Sequence, residues 1–348
     1  MVEARDMVLV SFPFAAGVAL SQFCHFPLFH ICLALSAVLI LLALADALPR
    51  KPWFALLFLV LGALCGSSGF PVGTGEESGA LGAFDALIRR IPWQDSRSCG
   101  LVRALLTGRR DGLSPESVSS FRAAGASHIL ALSGLHLGII YLFLGRMLKI
   151  MGNGRVRHYL RSILLILSCA AYATLTGASP SIIRALLFIT INEIAAHCPG
   201  RRKSPLAVWC LALMIQLSAT PWVIVSVGFQ LSYLAMLGIF TIFPAMDGWF
   251  PSEGRHDGPV RRIWSSMAMS ISCQIYTAPL VWWRFGTFPK YFLLTNLLAL
   301  PLTSGLMLCA VSCLLLYAFG LTPVWPVRVV EYLSGLLLDT LGIIASIP

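Results

Sequence analysis

The sequence predicts an all-α fold, a polytopic helical membrane protein with about 11 transmembrane helices, some broken or kinked. Three observations carry this. The 348 residues are 57% hydrophobic and only 11% charged, where a soluble domain carries about a quarter charged residues. Apolar runs suited to the ~30 Å hydrocarbon layer, which takes about 20 helical residues to cross, recur from end to end. Lys and Arg gather in alternate loops, the pattern that orients spans in a bilayer.

Taken in order, the runs place spans near 7–22, 26–46, 53–69, 127–148, 159–176, 180–197, 205–219, 222–244, 263–283, 291–317 and 329–346. The start, MVEARD, mixes charges before the first run, so it reads as a mature segment rather than a cleaved signal. With the N-terminus cytoplasmic, the inner loops hold Arg50 and Lys51, then Lys149, Arg155, Arg157 and Arg161. Arg201, Arg202 and Lys203 follow, and then Arg255, Arg261 and Arg262. The short outer loops around 23–26, 177–179 and 220–221 hold no Lys or Arg, and Arg284 with Lys290 is the exception. This puts the C-terminus outside. It also explains much of the formal net charge of +10 without invoking nucleic acid. Three regions follow: transmembrane helices over 1–69, an extracytoplasmic linker with short amphipathic helices over 70–126, and a larger transmembrane domain over 127–348.

The linker opens with GSSGFPVGTGEESGALG, rich in Gly and Ser. Beyond it, apolar residues at helical intervals alternate with Arg89, Arg90, Arg97, Arg103, Arg109 and Arg110. That pattern suits short amphipathic helices lying on a membrane surface. Seven arginines, counting Arg122, face six acids (Glu76, Glu77, Asp85, Asp95, Asp111, Glu116), so the segment is near neutral. Clustering around 103–110 makes a local basic mouth the functional reading, against a solvated or headgroup-facing surface as the plain one. Ser114 then caps a helix with Pro115 at its first position, and Gly125 closes it.

The chain is organised around 125–148, GASHILALSGLHLGIIYLFLGRML. Read as one helix, His128, Ser133 and His136 fall within a roughly 140° arc. Ser127, Ala131, Gly134 and Gly138 then make a small-residue stripe on the other side. Polar groups at membrane depth usually face a bundle interior or a wet cavity, and small stripes let backbones approach closely. The plain alternative is that both histidines bond to neighbouring helices and hold the bundle together. Ser133 and His136 also imitate a nucleophile–base pair, although no oxyanion loop or acid partner can be assigned.

Further spans repeat the theme. In TGASPSIIRALLFITINEI, Ser179 caps, Pro180 takes the first turn, and Arg184 sits one turn inside. Arg184 either snorkels to outer headgroups or lines a polar path near the outer mouth. Gln230 and Ser232 interrupt an apolar span flanked by Gly228 and Gly238, and Gln274, Thr277 and Pro279 share another. Asn296 and Pro301 lie in the next, where proline predicts a kink beside a cavity. Each amide alone reads as interhelical glue; four such spans together favour a shared polar interior. The ten cysteines show no CxxC pair and no zinc spacing, so neither a metal nor a disulfide framework is expected. No GxxxxGK[ST], GxSxG or HExxH motif occurs, and no cofactor or enzymatic role is expected.

FRAAGASHILALSGLHLGII, residues 121–140, resembles the signature of the ComEC-type competence protein family, the membrane part of bacterial DNA-uptake channels. The matching positions are Phe121, Arg122, Gly125, His128, Leu130, Ala131, Ser133, Gly134, Leu135 and His136. LLTGRRDGLSPE resembles the segment before the signature, and Gly177, Ser179, Ser181, Arg184 and Ala185 a later motif. Gly228, Phe229, Gln230, Leu231 and Ser232 resemble a further one, as do Pro279, Phe285, Gly286, Asn296 and Pro301. These five ordered blocks cover about 101–305.

The resemblance implies an inner-membrane channel passing single-stranded DNA into the cytoplasm. It implies a path lined by His128, Ser133, Gly134, His136, Arg184, Gln230, Ser232 and Asn296. Gly125, Gly177, Ser179, Gly228, Phe229, Gly286 and Pro301 would be its structural framework. Full-length family members carry an OB-like domain and often a metallo-β-lactamase-like domain. This sequence shows neither, so a separate DNA receptor, nuclease and cytoplasmic motor are expected as partners, and a homodimer through the small-residue stripes is open. A permease for another polar solute and a membrane scaffold are the alternative readings, the first lacking the inverted repeat that such folds show.

Overall fold

The computed structural model describes residues 4–24, scattered positions between 31 and 38, and 50–67, 79–152, 154–198, 204–249, 258–286, 288–321 and 324–347. Most of the span expected at 26–46, the glycine-rich start of the linker, and the loop cations Arg201, Arg202, Lys203 and Arg255 lie outside the described residues. Every regular element among the described residues is helical. Among the described residues three helices are both long and apolar enough to cross a bilayer: Ala4–Phe23, Val156–Leu175 and Phe292–Ala318.

The chain divides into two compact units. The first comprises Met1–Thr74 and Leu187–Phe240. It contains α1 (Ala4–Phe23), α2 (Arg50–Ser67), α10 (Pro205–Ala219), a 3₁₀ turn Pro221–Val225 and α11 (Val227–Thr241). Gly17 and Gly62 make the α1–α2 contact possible, since a Cβ on either would run into the other helix's backbone, at Leu59 and Phe14 respectively. Around this pair Phe14, Val18, Trp209, Leu213, Leu217, Phe229 and Tyr233 form a buried cluster. Two polar side chains at its edge are paired. Trp209 Nε1 donates to the Tyr233 carbonyl at 3.1 Å, and Tyr233 Oη donates to Gln216 Oε1 at 2.9 Å.

The second unit comprises Gly75–Leu186 and Thr241–Pro348. It begins with three short helices, α3 (Gly79–Arg90), α4 (Ser96–Thr107) and α5 (Pro115–Ala123). These are followed by α6 (Ser127–Leu130), α7 (Gly134–Met147) and α8 (Arg155–Leu175). After α9 (Pro180–Ala196), which passes from this unit into the first, come α12 (Phe243–Asp247), α13 (Pro259–Phe285), α14 (Phe292–Ala318) and α15 (Val324–Ala345).

The apolar faces of α3, α4 and α5 do not lie on lipid. Ile88, Leu101, Leu105 and Phe121 are buried in one cluster with Leu306 and Met307 of α14 and with Leu337 and Leu341 of α15. The surface-lying reading is corrected for a simple reason: an amphipathic face finds the apolar sides of two neighbouring helices as readily as it finds a bilayer. Hydrogen bonds pin the arrangement. Glu331 Oε1 accepts from the backbone N–H groups of Gln94 and Asp95, at 2.6 and 3.0 Å. Tyr172 Oη donates to the Leu106 carbonyl at 3.0 Å, and Thr295 Oγ1 to the Ala124 carbonyl at 2.7 Å.

Candidate functional site

The stretch 125–148 is not one helix. Gly125 takes φ +76°, and a Cβ there would come within 2.5 Å of Pro289. Only glycine fits both demands. The end of α5 is therefore closed as expected, with Ser114 Oγ accepting the Ser117 N–H at 3.1 Å at its start. One turn of helix, α6, follows and stops at Leu130. Ala131 and Ser133 are extended, with φ/ψ of −80/132° and −124/167°. Arg110 Nη2 donates to the Leu130 carbonyl at 3.3 Å, satisfying an acceptor that the break exposes.

This break overturns the single polar arc and the small-residue stripe read from the sequence, because helical spacing does not run through residues 131–133. What replaces them is a local cap. The backbone N–H of Ser133 donates to His136 Nδ1 at 3.2 Å, and Ser133 Oγ lies 2.9 Å from the same nitrogen. Nδ1 thus faces a donor, which puts the proton of the neutral imidazole on Nε2. His136 is only 1% exposed, and its Nε2 is buried without a hydrogen-bond partner among the described residues. A buried donor left unpaired costs roughly 1–3 kcal/mol, so its retention at the start of α7 calls for a function. The Ser133–His136 pair has nucleophile–base geometry but shows no carboxylate on Nε2 to orient it.

The residue that meets the start of α7 comes from α9. Gly177 (φ +77°) and Ala178 (φ +49°) both occupy the left-handed region, turning the chain sharply into Pro180. The turn needs glycine for conformation rather than space, since a Cβ on Gly177 would meet nothing within 4 Å. It aims Arg184, 8% exposed, at the start of α7: a Cβ on Gly134 would lie 3.1 Å from Arg184 Nη2 and 3.2 Å from Ala185 Cβ. Gly134, from the signature, and Arg184, from a motif some fifty residues on, therefore meet, and His136 lies two positions along α7 from that contact. His128 is exposed, with Nδ1 3.2 Å from the Gly125 carbonyl. Asn296 is half-buried in α14, and its Oδ1, like Ser179 Oγ and Gln274 Nε2, is buried without a partner among the described residues.

Gln230 and Ser232 belong to the other unit. Gln230 is half-buried and its Nε2 donates to the Ile224 carbonyl at 2.8 Å, locking α11 to the preceding 3₁₀ turn. Phe229 is in that unit's core, Gly228 is exposed, and Gly286 ends α13 with φ +63°. Both α13 and α14 continue through Pro279 and Pro301, and Pro301 is exposed rather than set beside an internal cavity. Among the described residues no three His, Cys, Asp or Glu side chains gather as a metal site would require.

A charged cluster that the residue counts concealed lies in 79–126. Asp85 (3% exposed) accepts from Arg103 Nε, and Arg103 (5% exposed) also donates through Nη2 to Asp111 at 2.9 Å. Arg89 adds a bond to Asp85 at 3.0 Å, and Arg109 approaches Asp85 at 3.7 Å. Burial pushes the Asp85 carboxyl up, but hydrogen bonds and charge from Arg103, then Arg89, outweigh it and hold it below the usual value. The Arg103 hydrogen bond does the same for Asp111. The sequence signal was Asp85 one turn before Arg89.

A multi-helix membrane fold with a broken, polar-capped signature helix defines the class: an integral membrane protein with a buried polar site on helix termini. A family model for Competence protein matches residues 105–348, more than half of the chain. The chain belongs to that family. Among curated relatives it is 28% identical to ComE operon protein 3 of Bacillus subtilis over 59% of this chain and 24% of that protein. It is 27% identical to Competence protein ComA of Neisseria gonorrhoeae, over 59% and 29%. With Recombination protein 2 of Haemophilus influenzae the identity is 28%, over 60% and 27%. The matched stretch thus spans under a third of the length of each of these relatives. No solved structure matches.

Proposed function

We propose that the chain forms an inner-membrane channel that passes single-stranded DNA into the cytoplasm during natural transformation. Membership of the Competence protein family supports a role in DNA uptake. The observation that carries the channel reading is His136, a buried donor whose Nε2 has no partner among the described residues, capped onto Ser133 at the start of the helix where Arg184 meets Gly134. A strand in transit needs hydrogen-bond donors that contact phosphates without fixing them. Nε2–H of His136 and the guanidinium of Arg184 are such groups. His128, Ser133 and Asn296 complete the proposed path within this unit.

The reading includes about eleven spans with the N-terminus in the cytoplasm. The chain acts as a conduit rather than an enzyme, with single-stranded DNA and the bilayer as its immediate partners. Degradation of the second strand, DNA capture and driving force come from a separate nuclease, receptor and cytoplasmic motor. Chromosomal transformation frequency in a deletion strain complemented with wild type or His136→Leu tests it, with membrane abundance checked by blot. Abolition on deletion, with an abundant but inactive variant, is the expected result. Transformation untouched by deletion would sink the DNA-uptake assignment. A variant that is active but scarce would leave His136 a packing residue.

A further inference from the structure

Away from the signature, a cavity of about 400 Å³ opens in the 79–126 segment. Arg89, Arg97, Arg103, Ser96, Cys99 and Ser114 line it. It depends on a close approach: a Cβ on Gly100 of α4 would run into the Gly112 backbone. The charge in it is uneven. Arg103 binds Asp85 and Asp111 through Nε and Nη2, while its Nη1, nearest Gly112, makes no hydrogen bond among the described residues. Arg89 is held by Asp85. Arg97 forms no ion pair among the described residues, and it is exposed. Asp95, which precedes it by two positions, directs its carboxylate to the N–H groups of Arg97 and Ser98 and to the Ser98 hydroxyl.

We propose that this cavity is a phosphate site that holds a backbone phosphodiester of single-stranded nucleic acid; the inference rests on the DNA-uptake reading above. A phosphodiester has one charge and two free oxygens. It matches one uncommitted guanidinium, the free edge of a second and two hydroxyls, a set too small for a polyphosphate. Nucleic acid is favoured over a lipid headgroup by the surroundings. No large hydrophobic side chain is exposed anywhere between residues 79 and 126, so nothing beside the cavity would enter a bilayer. Trp93, the only aromatic side chain there besides Phe84 and Phe121, is half-buried with Nε1 on the Ile88 carbonyl, so the site offers no base-stacking platform. Binding is therefore sequence-independent and salt-sensitive.

The test uses the full chain in phosphatidylcholine nanodiscs with a fluorescent oligodeoxythymidylate, followed by anisotropy across a salt series. Arg97→Ala, a change at an exposed side chain, weakens binding equally for oligothymidylate and a mixed sequence. It lowers the log-affinity against log-salt slope by about 0.7, one single-strand phosphate contact. In parallel the oligonucleotide slows alkylation of Cys99, read by peptide mass spectrometry, in wild type and not in Arg97→Ala. Oligonucleotide binding whose slope and Cys99 protection are unchanged by Arg97→Ala overturns the cavity and leaves the DNA-uptake reading standing. Protection of Cys99 by phosphatidylglycerol nanodiscs but not by the oligonucleotide assigns the cavity to a headgroup and overturns the proposal. A wild type that binds no oligonucleotide also overturns it, and only if deletion leaves transformation intact does the DNA-uptake reading fall too.

Discussion

The Asp85–Arg103 pair shows how much two buried charges depend on each other. Each is almost fully covered, and each finds its compensation in the other. Removing one partner from such a pair typically costs about 3–5 kcal/mol, because the survivor stays buried and unpaired. Arg103→Met is expected to lower the thermal midpoint of the purified chain sharply, and a circular-dichroism melt checks it. The pH dependence has a fixed sign. Asp85 and Asp111 have folded values below the ordinary 3.8, so they take up protons more readily when unfolded. Their contribution is complete above about pH 3.8 and is lost as pH falls through the lower folded values. The wild-type midpoint should therefore stay level on acidification until below that point. In Arg103→Met the acid-side decline shrinks or reverses, since burial of Asp85 is then opposed only by Arg89 and Arg109 and its folded value rises, while Asp111 loses the hydrogen bond that lowered its own. A melt series in which Arg103→Met loses as much on acidification as wild type would break this account.

At the scale of elements, helix ends were more legible than helix breaks. Ser114, Pro115 and Gly125 are local signals, and the structure uses all three. The interruption at 131–133 was not legible, because apolar residues flank it on both sides and the spacing suits a continuous helix equally well. It is set by groups distant in sequence, Arg110 on one side and the α9 contact with Gly134 on the other. The faces of α3 to α5 were read as amphipathic, but which apolar surface would cover them lies in α14 and α15, some two hundred residues later. The α7–α9 approach makes its own prediction. Both neighbours of a Cβ on Gly134 stand at 3.1–3.2 Å, so Gly134→Val must displace Arg184 or separate the helices. Overpacking of this kind costs about 1–3 kcal/mol. The variant should melt earlier than Gly138→Val, whose Cβ site meets nothing within 4 Å. Equal melts for the two would show that the contact carries no weight.

Across the whole molecule, composition announced a membrane protein, while the number and direction of spans rest on loop charges of which several lie outside the described residues. Among the described residues three helices qualify as spans by length and composition; the shorter apolar helices Lys51–Ser67, Pro205–Ala219 and Val227–Thr241 are 10–17 residues long. A 15-residue helix rises only about 22 Å, so crossing a ~30 Å core requires flanking turns or a thinned bilayer. The proposed orientation places residues 23–26 outside and the end of α9 inside. Two exposed cysteines, Cys24 and Cys198, sit at those points. An impermeant maleimide added to spheroplasts should label Cys24 and spare Cys198 until the membrane is opened. Both thiols are exposed, so a difference between them reports sidedness rather than burial. Labelling of Cys198 in intact spheroplasts with Cys24 protected would invert the topology. It would carry the 79–126 cavity to the cytoplasmic face, where a phosphate site would meet the strand on exit instead of entry.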